Sequence, residues 1–414
     1  MFVGRDRELK KLETLYEQRE FQFVIFYGRR RVGKTTLMNE FLKDKKSVYY
    51  MAVEGTKSEN LAASYPAISS MIQSHIDHCW KESCLFFILC GSSMSFMEEQ
   101  VLGYKSPLYG RRTAQFKIHP FTYFEAKEML SSYTNEEQAV LYGVTGGIPE
   151  YLSRIRKEKT VDENIINLFF DESGRLFDEP SNLLKQELRD PATYHSIISA
   201  IAGGASRLNE IATKTGLETS GCSSQLSSLI KLEIVQKETP ITENSGGKKT
   251  LYQLNDTMFL FWYRFVRPNL SSIMRGTGEM VYERMVKSHI SDFMGPIFEE
   301  ICHQYLFLPQ VYASIPFPIG NLGRWWGNNP RKKCQEEIDL MSVYDNHAFF
   351  GECKWKNSLV GTDVIHTLQE RGTLFPYTEK VFYIFSKSGF TQEAIEYANK
   401  TRDIKLITFA EMNS

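Results

Sequence analysis

The chain has almost no net charge, no paired cysteines and no long apolar run, and each absence removes a class of function. A formal charge of −1 over 414 residues leaves no global field to recruit nucleic acid, so any such contact must come from local patches. The seven cysteines, Cys79, Cys84, Cys90, Cys222, Cys302, Cys334 and Cys353, are odd in number and show no C-x-x-C spacing. They read as reduced thiols in a cytoplasmic protein, which argues against a disulfide frame or a structural zinc site. No stretch approaches the roughly 18 apolar residues of a membrane helix, and the N-terminus is charged by Arg5. A soluble, unprocessed cytoplasmic chain without membrane contact is expected, with room for about two to four domains.

What is present begins with "FQFVIFYG" (Phe21–Gly28), almost wholly apolar, as in a central parallel strand buried on both faces. "KTTLMNEFLKD" follows with helical spacing, Leu37, Phe41 and Leu42 on one side. Between them, Gly28-x4-Gly33-Lys34-Thr35 is the phosphate-binding loop pattern, in which glycines let backbone N–H groups close around phosphates at a helix N-terminus. The expected phosphate-binding set is Gly28, Arg29, Arg30, Arg31, Val32, Gly33, Lys34, Thr35 and Thr36. Lys34 would reach the β and γ phosphates, and the Thr35 hydroxyl would ligate Mg²⁺. An arginine-rich turn before a helix is the plainer reading; a strand before, a helix after and all four fixed positions outweigh it.

"KKSVYYMAVEG" reads as a second strand and "CLFFILCGSS" (Cys84–Ser93) as a third. Together with "FVGRDREL", "GRRRVGKTTL", "CGSSMSFM", "SPLYGRR" and "TGGIPEYL", the chain resembles the archaeal-type P-loop ATPases, relatives of the AAA+ and STAND groups. The resemblance implies that the opening box packs near adenine, that the "GSS" turn acts as a γ-phosphate sensor, and that Arg111 is a charge-stabilising residue. It also implies an acidic strand between the second strand and the "GSS" strand, its Asp organising Mg²⁺ and its Glu polarising water. Here that place holds "EGTKSENLAASYPAISSMIQSHIDHCWKES", with no apolar run followed by Asp-Glu. About thirty residues, one βα unit, are missing around Asn60–Ala63. The "VYYMAV" and "LFFILC" strands must then pair directly, or the former is displaced. "IINLFFDES", with Asp171 and Glu172, is read as a surface turn ending a lid helix, and Asp77 as a solvated helix residue.

From Pro120 the pattern is helical. "YHSIISAIAGGASRLNEIATKTGLETSGCSSQLSSLIKLEIVQKETPIT" resembles a winged helix whose third helix, Thr219–Leu232, would enter the major groove. Ser223, Ser224, Gln225 and Lys231 are a thin set for reading bases, and Lys248 and Lys249 would add phosphate contacts from the wing. Packing against another domain is the equal alternative. "MFLFWYRFVRPNL" is a buried docking helix in preference to a base-stacking platform, because its aromatic residues leave little polar face.

Near the C-terminus, "EEIDLMSVYDNHAFFGECKWK" reads as two apolar strands joined at "YDNH". Asp339 lies on the first; Glu352 and Lys354, two apart on the second, share one face, and Cys353 faces the opposite, packed side. An Asp followed by Glu-x-Lys resembles the PD-(D/E)XK nuclease core. That resemblance implies that Asp339 and Glu352 hold Mg²⁺, that Lys354 positions or activates water, and that Glu299 is the preceding helix's acidic member, with Glu300 its competitor. A charged hairpin edge is the plainer reading. "GRWWGNNPRKK" adds Arg324, Arg331, Lys332 and Lys333 beside Trp325 and Trp326, an edge for a DNA backbone or simply the closing of the hairpin.

The expected architecture is α/β. It comprises a P-loop NTPase parallel sheet lacking the acidic strand (1–119), a helical lid and linker (120–190), a winged helix (191–257), a helical linker (258–290) and a nuclease-like α/β domain (291–414). The leading functional expectation is an ATP-binding protein in which nucleotide is a conformational signal and hydrolysis is impaired. The alternatives are a Mg²⁺-dependent DNA nuclease gated by a degenerate P-loop module and a non-catalytic DNA-binding scaffold. Oligomer formation is left open.

Overall fold

In the computed structural model, which describes residues 2–50, 69–243 and 249–414, the apolar run before the phosphate loop is strand β1 (Gln22–Tyr27). It is buried at every position because it is flanked on both sides. Strands β2 (Phe86–Gly91) and β3 (Ala114–Lys117) pair with it in parallel, in the order β2-β1-β3. Phe23, Ile25 and Tyr27 turn to one face, where Ile76, Met94, Met97, Val101 and Leu108 complete a core. The helix Lys34–Leu42 buries Leu37, Met38 and Phe41, while Leu42, expected on the same side, is only half-buried.

Among the described residues this parallel sheet has three strands. The expected strand at "KKSVYYMAVEG" is not found over Lys46–Tyr50: Val48, Tyr49 and Tyr50 are exposed, at 99%, 56% and 87%. A strand needs a partner edge for its N–H and C=O groups, and no described strand pairs with these residues. The rest of that segment, the point of interruption at Asn60–Ala63, and with them the expected pairing of "VYYMAV" with "LFFILC", lie outside the described residues.

The chain forms two compact units, one of Met1–Met129 with Gly147–Ser153, the other of Leu130–Gly146 with Arg154–Ser414. In the second, the helices Asn135–Thr145 and Val161–Phe169 each open on a capping box, Thr134 with Glu137 and Thr160 with Glu163. Past the second of these, Asp171 accepts from Ser173 N (2.8 Å) and Oγ (2.6 Å) in an exposed turn, as read from the sequence. The aromatic run is core: Phe259, Phe261, Trp262 and Phe265 are buried, and Trp262 Nε1 donates to Phe177 O at 2.6 Å.

Three helices, Pro191–Ala202, Leu208–Thr215 and Thr219–Lys231, precede an antiparallel pair, β4 (Val235–Glu238) and β5 (Leu251–Leu254). The long helix Ile290–Leu306 then leads into a five-stranded sheet of β6 (Leu322–Asn329), β7 (Cys334–Tyr344), β8 (His347–Lys354), β9 (Glu379–Ser386) and β10 (Ile404–Thr408). Its order is β10-β9-β8-β7-β6, with β6, β7 and β8 antiparallel and β8, β9 and β10 parallel. Asp345, at a φ of 49°, and Asn346 make the two-residue turn between β7 and β8, the left-handed conformation that Asp and Asn tolerate. Helices Thr362–Gly372 and Gln392–Lys400 carry the parallel crossovers. Among the described residues no helix is long and apolar enough to cross a membrane.

Candidate functional site

At the C-terminal end of β1 the chain turns through Gly28 (φ 144°), Arg31 (φ 71°) and Gly33 (φ 89°) before the helix that begins at Lys34. Gly28 is required twice over, by its φ and because a Cβ there would lie 2.2 Å from the Ile118 carbonyl oxygen. Lys34 is buried, and its Nζ donates to Gly28 O (2.7 Å) and Arg29 O (2.6 Å), so its charge is held inside the loop. Thr35 and Thr36 are exposed in the first helical turn, and Val32 is buried beneath the loop. Arg31 stands 5.6 Å over the Tyr151 ring and 3.9 Å from Glu150 Oε2. The last pairs of the β1–β2 ladder, Phe26–Cys90 and Tyr27–Gly91, bring the "GSS" turn to the same edge. Backbone donors, a lysine and a helix N-terminus together fit a nucleotide's phosphates.

Arg5 was not among the residues singled out from the sequence. It is buried, donates to Val32 O (3.1 Å) and to His119 O, and lies 4.9 Å from the Phe121 ring, bracing the loop from below. Glu8, at 3.6 Å, is a local partner; the carbonyls and the ring it braces are more than twenty residues away.

Arg111 is placed elsewhere than expected. Thr113 N donates to Phe23 O, so the residues before β3 lie at the N-terminal edge of the sheet, and the phosphate loop leaves from the opposite edge. A six-residue strand, about 20 Å at roughly 3.3 Å per residue, separates them. The chain does not bring its own Arg111 to its own loop. Instead Arg111 clasps Asp77, Nε to Oδ1 at 3.0 Å and Nη2 to Oδ2 at 2.7 Å, and holds that carboxyl well below the usual range. Asp77, expected to be solvated, is thus an ion-pair partner, with Lys81 at 3.3 Å.

The acidic residues of the C-terminal sheet do converge. The β7–β8 ladder ends at Leu340–Gly351, beyond which the strands part. Asp339 fills the gap: its Oδ2 accepts the Cys353 N–H at 2.8 Å, replacing the lost strand partner. Glu352 accepts from Lys354 Nζ at 2.5 Å and from Arg371 Nη1 at 3.0 Å, while Arg371 Nε reaches Glu336 Oε2 at 2.8 Å. Cys353 is buried beside Cys302 of the helix Ile290–Leu306, on the packed side as expected. From that helix Glu299 approaches Asp339, whereas Glu300 is exposed and takes a bond from Gln304 Nε2. Burial, then Asp339, pushes Glu299 up; burial, then Glu352, pushes Asp339 up. Burial alone would lower Lys354, but Glu352 beside it outweighs that and raises it, so the ammonium keeps its proton.

Oxygen donors whose charges repel one another suit a hard divalent cation, which often takes only one or two carboxylates and completes its shell with water and phosphate. Glu238 Oε2, from β4, is buried without a hydrogen bond, an orphaned atom consistent with such a group. Among the described residues no three of His, Cys, Asp and Glu are gathered closely enough to hold a metal unaided. Arg324 explains the spacing, for it stands 3.7 Å from Glu299 and 3.6 Å from Glu238. Of the basic edge, Trp325 is a core residue against Phe375 and Lys332 is paired with Glu370 at 2.7 Å. Arg371, Glu336 and Glu238 were missed from the sequence, since each arrives from a distant element.

Residues 2–71 and 67–155 match a family described as an ATPase domain predominantly from Archaea. The two stretches meet just beyond the interruption read from the sequence. Residues 262–367 match a family described as archaeal and bacterial proteins of unknown function, and this stretch contains Glu299, Arg324, Asp339, Glu352 and Lys354. An uncharacterised protein of Methanocaldococcus jannaschii is 33% identical over 399 residues, 86% of this chain and 88% of that one. An uncharacterised ATP-binding protein of the same organism is 50% identical over 46 residues, 11% of this chain and 78% of its own length. Among solved structures, a Vibrio cholerae protein (10% identity, 97% of this chain, 92% of that chain) and a Pyrococcus horikoshii STAND protein with a tetratricopeptide repeat sensor (15%, 75% and 52%) both have a TM-score of 0.26, too low to carry an argument. The near full-length relative, the matched ATPase domain and the geometry of the loop agree: the chain belongs to the archaeal-type P-loop ATPase family.

Proposed function

We propose that the chain binds ATP as a conformational signal, turns it over slowly, and works through its C-terminal acidic site as a metal-dependent DNA phosphodiesterase. The observation that carries the second half is the parting of β7 and β8, which sets Asp339, Glu352 and Lys354 together with Glu299 close by. Asp339 and Glu352 would hold the cation. A divalent ion bound there would neutralise charge on the phosphodiester and lower the pKa of a bound water. Lys354, kept protonated by Glu352, orients that water and offsets charge developing on the phosphate; it is a poor base. Arg371 fixes Glu352 from the far side. Cleavage of single- and double-stranded DNA with Mg²⁺ or Mn²⁺ tests the reading, and a parent chain that binds neither ion and cuts neither substrate would end it.

The expectation of slow turnover rests on a complete loop in a sequence that carries no apolar run ending in Asp-Glu between "KKSVYYMAVEG" and "CLFFILCGSS". Losing a positioned general base costs roughly 10²- to 10⁴-fold in rate. Phosphate release by the unaltered chain is therefore expected to be near background while calorimetry records ATP binding. Robust Mg²⁺-dependent turnover would refute the defect.

The three helices and the β4–β5 pair are read as a winged helix. Its third helix buries Cys222, Leu226 and Leu229 and exposes Thr219, Ser220, Ser224, Ser227 and Lys231. Ser227 Oγ bonds back to Ser223 O, and Lys249 is drawn to Glu243 at 2.5 Å; Lys248 lies outside the described residues. DNA binding is expected to be weak and to fall roughly 10- to 100-fold between 50 and 200 mM salt. Fluorescence anisotropy across that range checks it, and sequence-specific binding that survives high salt would contradict it.

A further inference from the structure

Arg324 sits where β6 and β7 change register. Gly323 and Trp325 pair with Met341 and Ile338, so Asp339 and Leu340 together oppose the single residue Arg324. A bulge of this kind re-aims side chains and is common beside reactive sites. Here it turns the guanidinium toward three carboxylates. Nη1 is 3.6 Å from Glu238 Oε2, Nε 3.7 Å from Glu299 Oε2 and Nη2 3.5 Å from Glu337 Oε2. All three distances exceed the roughly 2.7–2.9 Å of a charge-assisted hydrogen bond, and none is the bidentate pair that arginine usually makes with a carboxylate. The contrast with Glu352, closely bonded by Lys354 and Arg371, lies within the same site. Glu238 Oε2, facing Arg324, has no hydrogen bond although buried. The guanidinium is shared among partners and satisfies none of them closely.

We propose that Arg324 is the resident counter-ion of the acidic site. It is displaced when a divalent cation enters and is then free to engage a phosphate oxygen of the DNA backbone. The inference rests on the phosphodiesterase reading of that site. Three carboxyl groups with Asp339 nearby share one arginine, so a divalent ion at Asp339 and Glu352, beside Glu299, offsets their repulsion better than the single guanidinium and leaves Arg324 in excess. A planar guanidinium matches two phosphate oxygens, which an ammonium does not. Glu238 ties this exchange to the β4–β5 pair. Just past β4, Ile241 N donates to Arg324 O at 3.0 Å, and the Ile241 side chain packs on the C-terminal core.

The test is Mn²⁺ binding, followed by the electron paramagnetic resonance of free Mn²⁺, on the full chain and on Arg324→Gln, with DNA affinity measured in Ca²⁺. The variant, freed of a competing charge, is expected to bind Mn²⁺ about tenfold more tightly and DNA about tenfold more weakly. Mn²⁺ affinity that stays unchanged or falls in the variant, with a binding parent, overturns the inference alone; a parent that binds no Mn²⁺ overturns the reading of the site and the inference with it. Arg324→Lys keeps the charge and guards against misfolding of the first variant. It should hold Mn²⁺ within about twofold of the parent and lose DNA affinity, since the fork is gone. Joint loss of both affinities would mark Arg324 as purely structural. In EDTA, Glu238→Gln should raise DNA affinity, and adding Arg324→Gln should cancel the gain. A gain that persists in the double variant would reduce the effect to simple charge removal and overturn the inference.

Discussion

Asp339→Ala is expected to abolish metal-dependent DNA cleavage, a loss of roughly 10²- to 10⁴-fold or to background. Two effects are removed at once. One is a carboxylate assigned to the cation; the other is the acceptor of the Cys353 N–H, whose loss inside the fold costs about 1–3 kcal/mol. Asp339→Asn separates them. Its amide oxygen still accepts from Cys353, so it should melt close to the parent and yet fail to bind Mn²⁺ tightly or to cut. Glu352→Ala should likewise lose metal, with the added penalty of leaving Lys354 and Arg371 without the carboxylate they share. Lys354→Ala should spare metal binding and impair cleavage. Titration calorimetry with Mn²⁺ beside a cleavage assay distinguishes the variants. Cleavage that survives both carboxylate substitutions would leave only a nuclease-like arrangement without the chemistry.

Lys34→Ala should eliminate measurable ATP binding. Charge-assisted hydrogen bonds contribute about 1.5–3 kcal/mol each, so losing a lysine that reaches two phosphates weakens binding by on the order of 100-fold or more. In the structure the ammonium already rests on the Gly28 and Arg29 carbonyls, so nucleotide entry exchanges one set of oxygens for another within the same small volume. The side effect on folding should be small, because those carbonyls belong to a loop at the sheet's edge. Unchanged ATP affinity in calorimetry would show that the loop is not the nucleotide site.

The parts of the fold that were legible from sequence are those in which the pattern is local. The phosphate loop needs only a strand, two glycines and a helix start, all within Gln22–Leu42. Asp339, Glu352 and Lys354 are set by the alternation of two strands and a two-residue turn. Burial of Phe259, Phe261 and Trp262 followed from the absence of a polar face. The cross-chain partners were not legible. Arg5 is defined by His119, Arg111 by Asp77, Arg371 by Glu336 and Glu352, and Glu238 by Arg324, and in each case the two residues lie in segments whose proximity only tertiary packing creates. Arg111 shows the consequence. Its motif identified the residue, but the direction of β3 decided which end of the sheet it occupies.

The Asp345–Asn346 turn has a kinetic consequence. Asp339 and the Cys353 N–H it caps are only 14 residues apart in sequence, so closing the loop between them loses little chain entropy. Hairpins of this size form in roughly 1–10 μs. Asp339, Glu352 and Lys354 should therefore be assembled early, in the β7–β8 hairpin. Glu299 and Glu238 must instead wait for the helix Ile290–Leu306 and strand β4 to dock across far longer separations. During refolding, amide protection should appear at Leu340–Gly351 before it appears around β4, so that the core of the acidic site exists for a time as an open half-site without its outer carboxylates.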